Sequence, residues 1–319
     1  MTVFPYATVE VVRSGFVESV HAGSGVVLGP SGKLLAAAGD PDAPMLPRSA
    51  NKPLQLVGML KAGLALKPPD LAVCASSHSG EPVHVHRVLD LLVDAGVAPA
   101  ALACPPAMPL DETAAAAVLR AGGGPERATM NCSGKHTAML LTCVANGWPL
   151  DGYAEPDHPV QVAIRAAVED LARQPVTAVA VDGCGAPLFG LSLAGLARAF
   201  AGLVTAAPGT PERTVADAMR AHPDLVGGTG RDVTALMAGA PGVLAKDGAE
   251  GVFAAATADG AAVAVKVADG TGRARTPLLV GALRRAGVYA AVLDELAEAP
   301  VLGGGHPVGA IRPAGDVWA

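Results

Sequence analysis

The chain has 319 residues, of which 51% are hydrophobic and only 16% charged, so it can bury a large core, and intrinsic disorder is excluded. A net charge of −6 and an aromatic content of 3% exclude a phosphate backbone as partner and a stacking surface for single-stranded nucleic acid. No apolar run reaches the roughly 18 residues of a membrane helix, and MTVFPYATVEVVRSG lacks a basic segment followed by an apolar one, so the expectation is a cytoplasmic protein with no membrane partner.

Residues 7–37 alternate apolar and polar positions around a turn at Gly29-Pro30-Ser31-Gly32, which predicts two or three strands. Pro44 and Pro47 then enforce an extended approach to Arg48-Ser49-Ala50-Asn51-Lys52, after which Leu54, Val57, Leu60 and Leu64 recur at helical spacing. Pro53 fits the first turn of that helix. Ser49 and Lys52, three residues apart, share one face with Cβ atoms roughly 5–6 Å apart. A serine hydroxyl is a poor nucleophile until a base takes its proton, and a lysine whose surroundings disfavour the ammonium form can be that base. Ser-x-x-Lys is therefore a compact acyl-transfer device. At a helix N-terminus the backbone N–H of Ser49 is also a candidate oxyanion donor.

The apolar run from Pro68 to Ala75 breaks into Ser76-Ser77-His78-Ser79-Gly80-Glu81, which reads as a loop at the edge of a buried element or as a plain solvated turn. In the amphipathic segment VHVHRVLDLLVDAGV, His84 and His86 face different sides and read as surface histidines. A helix is expected over 114–121. Asn131-Cys132-Ser133-Gly134-Lys135-His136 introduces another that stops at Asn146-Gly147. Here a thiol, an amine and an imidazole crowd one turn, and spacing alone pairs Cys132 with His136, imidazole being a far commoner zinc ligand than an amine. Asp182-Gly183-Cys184 follows the strand-like VTAVAV, and Cys132 and Cys184 stand among small and polar residues. The five cysteines, odd in number and widely spaced, suit a reducing compartment.

Helices are expected over 160–174 and 190–202. Strands return with GVFAAAT, the turn Ala258-Asp259-Gly260 and AAVAVKVADG, where Lys266 is the odd residue in an apolar strand. TPLLVGALRRAG reads as a closing helix, followed by a second short helix and by VGAIRPAGDVW as an edge strand. The expected fold class is α/β, or α+β, in one unit over 1–319. Its sheet comes from about 7–37 and 250–316 and its helices from about 49–245.

In this order, Ser49-x-x-Lys52, Ser77-His78-Ser79-Gly80-Glu81, Cys132-Ser133-Gly134-Lys135-His136, Asp182-Gly183-Cys184 and Lys266-Val267-Ala268-Asp269-Gly270 together resemble the asparaginase II family, the rhizobial-type or class 3 L-asparaginases. Weaker similarity lies at Asp157-His158-Pro159 and over 222–231. The resemblance implies a fold like that of serine β-lactamases and serine-dependent glutaminases, with a mainly antiparallel sheet flanked by helices, and a homodimer. It implies hydrolysis of the small-molecule substrate L-asparagine to L-aspartate and ammonia through two tandems, Ser49/Lys52 and Ser77/Lys266. Ser77 is taken over Ser76 because it directly precedes His78. The resemblance also implies Arg48, His78, Asp182, Gly230 and Arg231 around the substrate and a zinc site of Cys132, Lys135 and Cys184, so that Lys135 displaces His136. That zinc is expected to position Asp182 and the pocket rather than to activate water. If Lys52 and Lys266 approach one pocket, each disfavours the other's charge, and one can be neutral near pH 7. The alternatives are another Ser-x-x-Lys acyl hydrolase, glutaminase- or β-lactamase-like, and a noncatalytic zinc- or amide-binding relative.

Overall fold

The computed structural model describes residues 4–316 and Trp318. Alternation near the start produces β1 (Ala7–Arg13) and β2 (Phe16–Leu28), joined by Ser14-Gly15, both at positive φ. That geometry is typical of a tight hairpin. β3 (Leu34–Ala38) folds back on the second half of β2. After β4 (Pro44–Met45), a single 3-10 turn over Arg48–Asn51 feeds α1 (Lys52–Lys61), with Pro53 in its first turn. Four further helices follow: α2 (Pro68–Cys74), α3 (Pro82–Asp94), α4 (Glu112–Arg120) and α5 (Ser133–Asn146), the last ended by Gly147 at positive φ.

Next come α6 (Pro159–Ala172), the small hairpin of β5 (Val179–Val181) and β6 (Pro187–Phe189), and β7 (Leu191–Ser192), which pairs with β4. Helices α7 (Leu193–Thr205), α8 (Pro211–Ala221), α9 (Pro223–Val226) and α10 (Asp232–Gly239) lead to β8 (Leu244–Asp247), β9 (Val252–Ala256) and β10 (Ala262–Val267). The chain closes with α11 (Arg275–Arg285), α12 (Ala291–Leu296), β11 (Ala299–Gly303) and β12 (His306–Pro313).

Both ends of the chain enter one antiparallel sheet, ordered β11-β12-β1-β2-β10-β9-β8, with β3 also beside β2. The strands β8, β9 and β10 are buried along almost their whole length, as strands covered on both faces must be, and α7 and α11 lie against β9 and β10. Among the described residues no helix is long and apolar enough to cross a membrane.

The expected mixed α/β fold with sheet from both chain ends is therefore present, and four local readings change. The sheet resumes at Leu244 rather than near 250, because the four-residue β8 is too short to register as a strand. The segment from Pro68 is a helix rather than an unassigned apolar run. VGAIRPAGDVW is not an edge: its described strand, β12, lies between β1 and β11, and β11 forms the edge. His84 is buried, since it stands four, seven and eight residues before Val88, Leu91 and Leu92 on the inward stripe of α3; His86 is exposed.

Gly134 lets α5 meet α2. A Cβ there would lie 2.2 Å from the Val73 carbonyl oxygen, a backbone atom that cannot rotate away. Gly134→Ala is expected to destabilise by about 2 kcal/mol or more and to lower Tm by several degrees in a thermal melt. An unchanged Tm would mean that α2 and α5 do not pack this closely.

Candidate active site

Ser49 sits in the 3-10 turn, partly exposed, and the turn is held in an unusual way. Arg48, just before it, adopts φ +50°, a left-handed conformation rare for a residue with a side chain. Its guanidinium Nε donates to Asp182 Oδ1 at 2.8 Å, and its Nη1 lies 3.8 Å from a carboxylate oxygen of Glu250, itself at φ +58°. Two strained residues at one spot are the kind of outlier that accumulates at functional sites. On the inner side Lys52 is almost wholly buried. Its Nζ donates to the Ser76 carbonyl at 2.5 Å, Ser77 Oγ at 3.1 Å and the Asn131 carbonyl at 3.4 Å. Lys52 thus belongs by sequence to Ser49 and by hydrogen bond to Ser77.

The stretch from Ser76 to Gly80 is not a solvated turn; every residue in it is buried. Gly80 N–H donates to His78 Nδ1 (3.1 Å), so the proton is on His78 Nε2, which donates to Ser133 Oγ at 2.9 Å. Burial, followed by the stacked His84 ring 5.1 Å away, holds the His78 pKa well below the ordinary imidazole value. From the other side, the Ser77 N–H donates to the Val226 carbonyl (3.1 Å) and Arg231 Nη1 to the Ser77 carbonyl (3.4 Å). Gly230, at φ +71°, faces open space beside it.

The two remaining lysines of the region differ sharply. Lys266 is only half-buried and donates to the Glu250 carbonyl at 2.8 Å; burial lowers its pKa, with Glu250 opposing and Arg48 reinforcing. Lys246 on β8, which sequence reasoning missed, is fully buried and donates to Asp247 Oδ1 at 2.7 Å and to its carbonyl at 2.8 Å. Burial pushes Lys246 down to about 8 against the attraction of Asp247, and the nearby Lys52 charge adds to the effect. The signal available in the sequence was a lysine directly after Val243, Leu244 and Ala245. Burial opposes ionisation of Asp247, yet Lys246, Arg275 and Arg231 hold its carboxyl far below the usual carboxylate range. The next residue, Gly248, packs on the turn of Ser49: a Cβ there would lie 2.8 Å from the Pro47 carbonyl oxygen and 3.2 Å from the Ala50 nitrogen. Here the end of the lysine strand and the serine turn meet backbone to backbone.

On the far side of Arg48, Cys132 and Cys184 face one another, and Lys135 Nζ donates to Cys184 Sγ at 3.2 Å. The neighbouring Cys132 thiol, with Lys135 adding, draws the Cys184 thiol down toward the thiolate against its burial, and Cys132 is pushed up. His136, the partner that spacing alone picks for Cys132, turns elsewhere: its Nδ1 lies 2.6 Å from the Tyr153 hydroxyl. Two buried thiols and an amine are a donor set that fits a zinc ion, provided the lysine is neutral. Among the described residues no group of three or more His, Cys, Asp or Glu gathers for a metal, so only a set that includes the lysine is available here.

The structure thus brings Arg48, Ser49, Lys52, Ser77, Asp182 and Arg231 around one location. His78 is packed behind Ser77, and Lys266 stands at the rim. No curated protein matches the chain. Two solved structures align with it at 15% identity. One is Mglu in its native form, over 83% of this chain and 62% of that one with a TM-score of 0.43. The other is a candidate β-lactamase from Bacteroides dorei DSM 17855, over 83% and 86% with a TM-score of 0.36. The chain therefore spans 62% of the length of Mglu. The profile of L-asparaginase II matches residues 9–313, from β1 to β12 and across every residue of the site. The chain belongs to the L-asparaginase II family, a family of amidohydrolases.

Proposed function

We propose that the protein hydrolyses L-asparagine to L-aspartate and ammonia through a serine-bound acyl intermediate. The observation that carries this reading is Lys52, whose Nζ reaches Ser77 Oγ at 3.1 Å and whose helix begins three residues after Ser49. Ser49 is the nucleophile, because it is partly exposed where a substrate can reach it, whereas Ser77 is only 5% exposed. Its Oγ bonds to the side-chain amide carbon while Lys52, as an amine, takes the hydroxyl proton. Ser77, held by Lys52, relays a proton to the departing nitrogen, so that ammonia leaves and an aspartyl ester remains. Water then cleaves the ester by the reverse proton route. Arg231 offers a cation for the substrate's carboxylate, and the Arg48–Asp182 pair offers both charges at the opposite wall.

The second lysine of the site is assigned to Lys246 rather than Lys266, as a buried cation that favours the negative charge developing on the substrate oxygen, since it is the one buried within electrostatic range of Lys52. Cys132, Lys135 and Cys184 hold a zinc ion, which when bound supplies a fixed positive charge beside Asp182. A homodimer is part of the same proposal.

Five assays test it. Ammonia release measured with asparagine and with glutamine decides the substrate, which differ by one methylene. Ser49→Ala is expected to lose at least 1,000-fold in kcat and Ser77→Ala about 100-fold; the reverse order would make Ser77 the nucleophile. Lys246→Met is expected to cost far more activity than Lys266→Met, and equal losses would return the role to Lys266.

The Lys246 pKa lies below its ordinary value of 10.5, so its positive charge is nearly complete well below pH 8 and is lost as pH rises through about 8. kcat/KM is therefore expected to fall on the alkaline side with a midpoint near 8; a flat profile from pH 7 to 9.5 would count against a charged Lys246. Metal analysis of the purified protein is expected to find one zinc per chain. Cys184→Ser should weaken zinc binding at least tenfold and His136→Gln should leave it intact, whereas loss of zinc only in the histidine variant would reverse the ligand choice.

A further inference from the structure

Glu81 occupies the N-cap position of α3, where an acidic side chain ordinarily accepts from the exposed N–H groups of its own helix. It makes no such bond. Its two carboxylate oxygens instead accept from Thr229, 148 residues along the chain: the backbone N–H at 2.7 Å and the hydroxyl at 3.0 Å. Around this pair the two segments are cross-tied. Ser79 Oγ donates to the Gly227 carbonyl at 2.8 Å, and the Ser77 N–H donates to the Val226 carbonyl. Gly228, at φ +115°, has no room for a side chain, because a Cβ would lie 2.4 Å from Ser79 Oγ and 2.6 Å from Glu81 Oε1. Beyond Thr229 comes Gly230 and then Arg231, which spans the Ser77 carbonyl and Asp247 Oδ2.

We infer that Glu81 is a positioning residue: by gripping Thr229 it holds the glycine-rich stretch from Gly227 to Gly230 closed, and so sets where Arg231 stands over Ser77. Three glycines in four positions offer little stiffness of their own, so the Asp247 ion pair that holds the Arg231 guanidinium needs a second anchor on the backbone before it, and this bidentate carboxylate supplies it. The backbone N–H bond is charge-assisted, the stronger class of hydrogen bond. Glu81 touches no reacting atom in this scheme and acts through Arg231. The inference deepens the proposed amidohydrolase reading and rests on it for the choice of substrate.

The test compares wild type, Glu81→Gln and Glu81→Ala by amide hydrogen exchange at Thr229 and by steady-state kinetics with asparagine. Glu81→Ala is expected to speed exchange at Thr229 at least tenfold and to raise KM about tenfold, with a smaller change in kcat and a Tm within about two degrees of wild type. Glu81→Gln, which keeps an acceptor for the N–H, is expected to stay within threefold of wild type in both measurements. Should Glu81→Ala fail to fold, Thr229→Val removes the hydroxyl arm alone and is expected to raise KM about threefold. Unchanged exchange, or faster exchange with unchanged KM, overturns the inference. A wild type that releases no ammonia from asparagine or from glutamine refutes the amidohydrolase reading separately. The latch is then judged by the exchange and by the rate at which a fluorophosphonate labels the site serine, which Glu81→Ala slows about tenfold if Glu81 positions the site and leaves unchanged if it does not.

Discussion

The buried carboxylate of Asp247 is the interaction on which the site depends. It receives Lys246 from its own strand at 2.7 Å, Arg231 from the loop before α10 at 2.7 Å, and Arg275 from the start of α11 at 3.1 Å. Taking any of these charges out of water is costly, and removing one partner from such a set typically costs about 3–5 kcal/mol because the others stay buried and unpaired. Asp247 therefore ties the edge of the sheet to the loop that reaches Ser77 and to the helix lying over the central strands. Asp232 adds a second carboxylate by accepting from Arg275 and from Thr276. Three cations against two carboxylates leave one positive charge in excess, before Lys52 is considered. Such an interior favours an anion in the adjoining space, as a substrate carboxylate or a developing oxyanion would be.

Strain and charge meet on the opposite wall. Arg48 and Glu250 both hold left-handed backbone conformations with full side chains, at a cost of order 1 kcal/mol or more each. Asp182 repays part of it by fixing the Arg48 guanidinium, and Asp182 is in turn kept ionised, against its burial, by Lys135 and Arg48. The thiol pair and the serine turn are thus linked by a short electrical path, from Cys184 through Lys135 and Asp182 to Arg48. A metal at the thiols would change the charge at the first of these links and be felt at the last.

Much of this was legible in the chain because it is local. Ser49-x-x-Lys52 is a spacing within one helical start, the alternation of β1 and β2 carries its own period, and β9 and β10 read as two apolar runs joined by a turn. What stayed hidden depends on distant packing. The polar run from Ser76 to Gly80 carries no local mark of burial; it is covered by residues near 226–231, which lie far along the chain. Lys246 stands in a strand of four residues, too brief to read, and becomes a site residue only because the sheet edge abuts the turn of Ser49. Lys266 drew attention for the same chemical reason, an amine among valines, but its position in the sheet turns it toward Glu250. His84 is the instructive case. Its spacing to Val88, Leu91 and Leu92 was visible, and only its polarity argued for the surface.

The placement of β1 between β2 and β12 has a consequence for how the molecule comes into being. Ribosomes release residues in order, so the segments that bear both serines emerge long before the strands that complete the sheet behind them. β1 can pair with β2 at once, through a two-residue turn, yet its other edge stays open until about 300 further residues have been made. Throughout synthesis that edge presents unpaired backbone groups to any neighbouring strand. The nascent chain is therefore exposed to misassociation for almost the whole of its translation, and the last strand to appear is the one that ends the hazard.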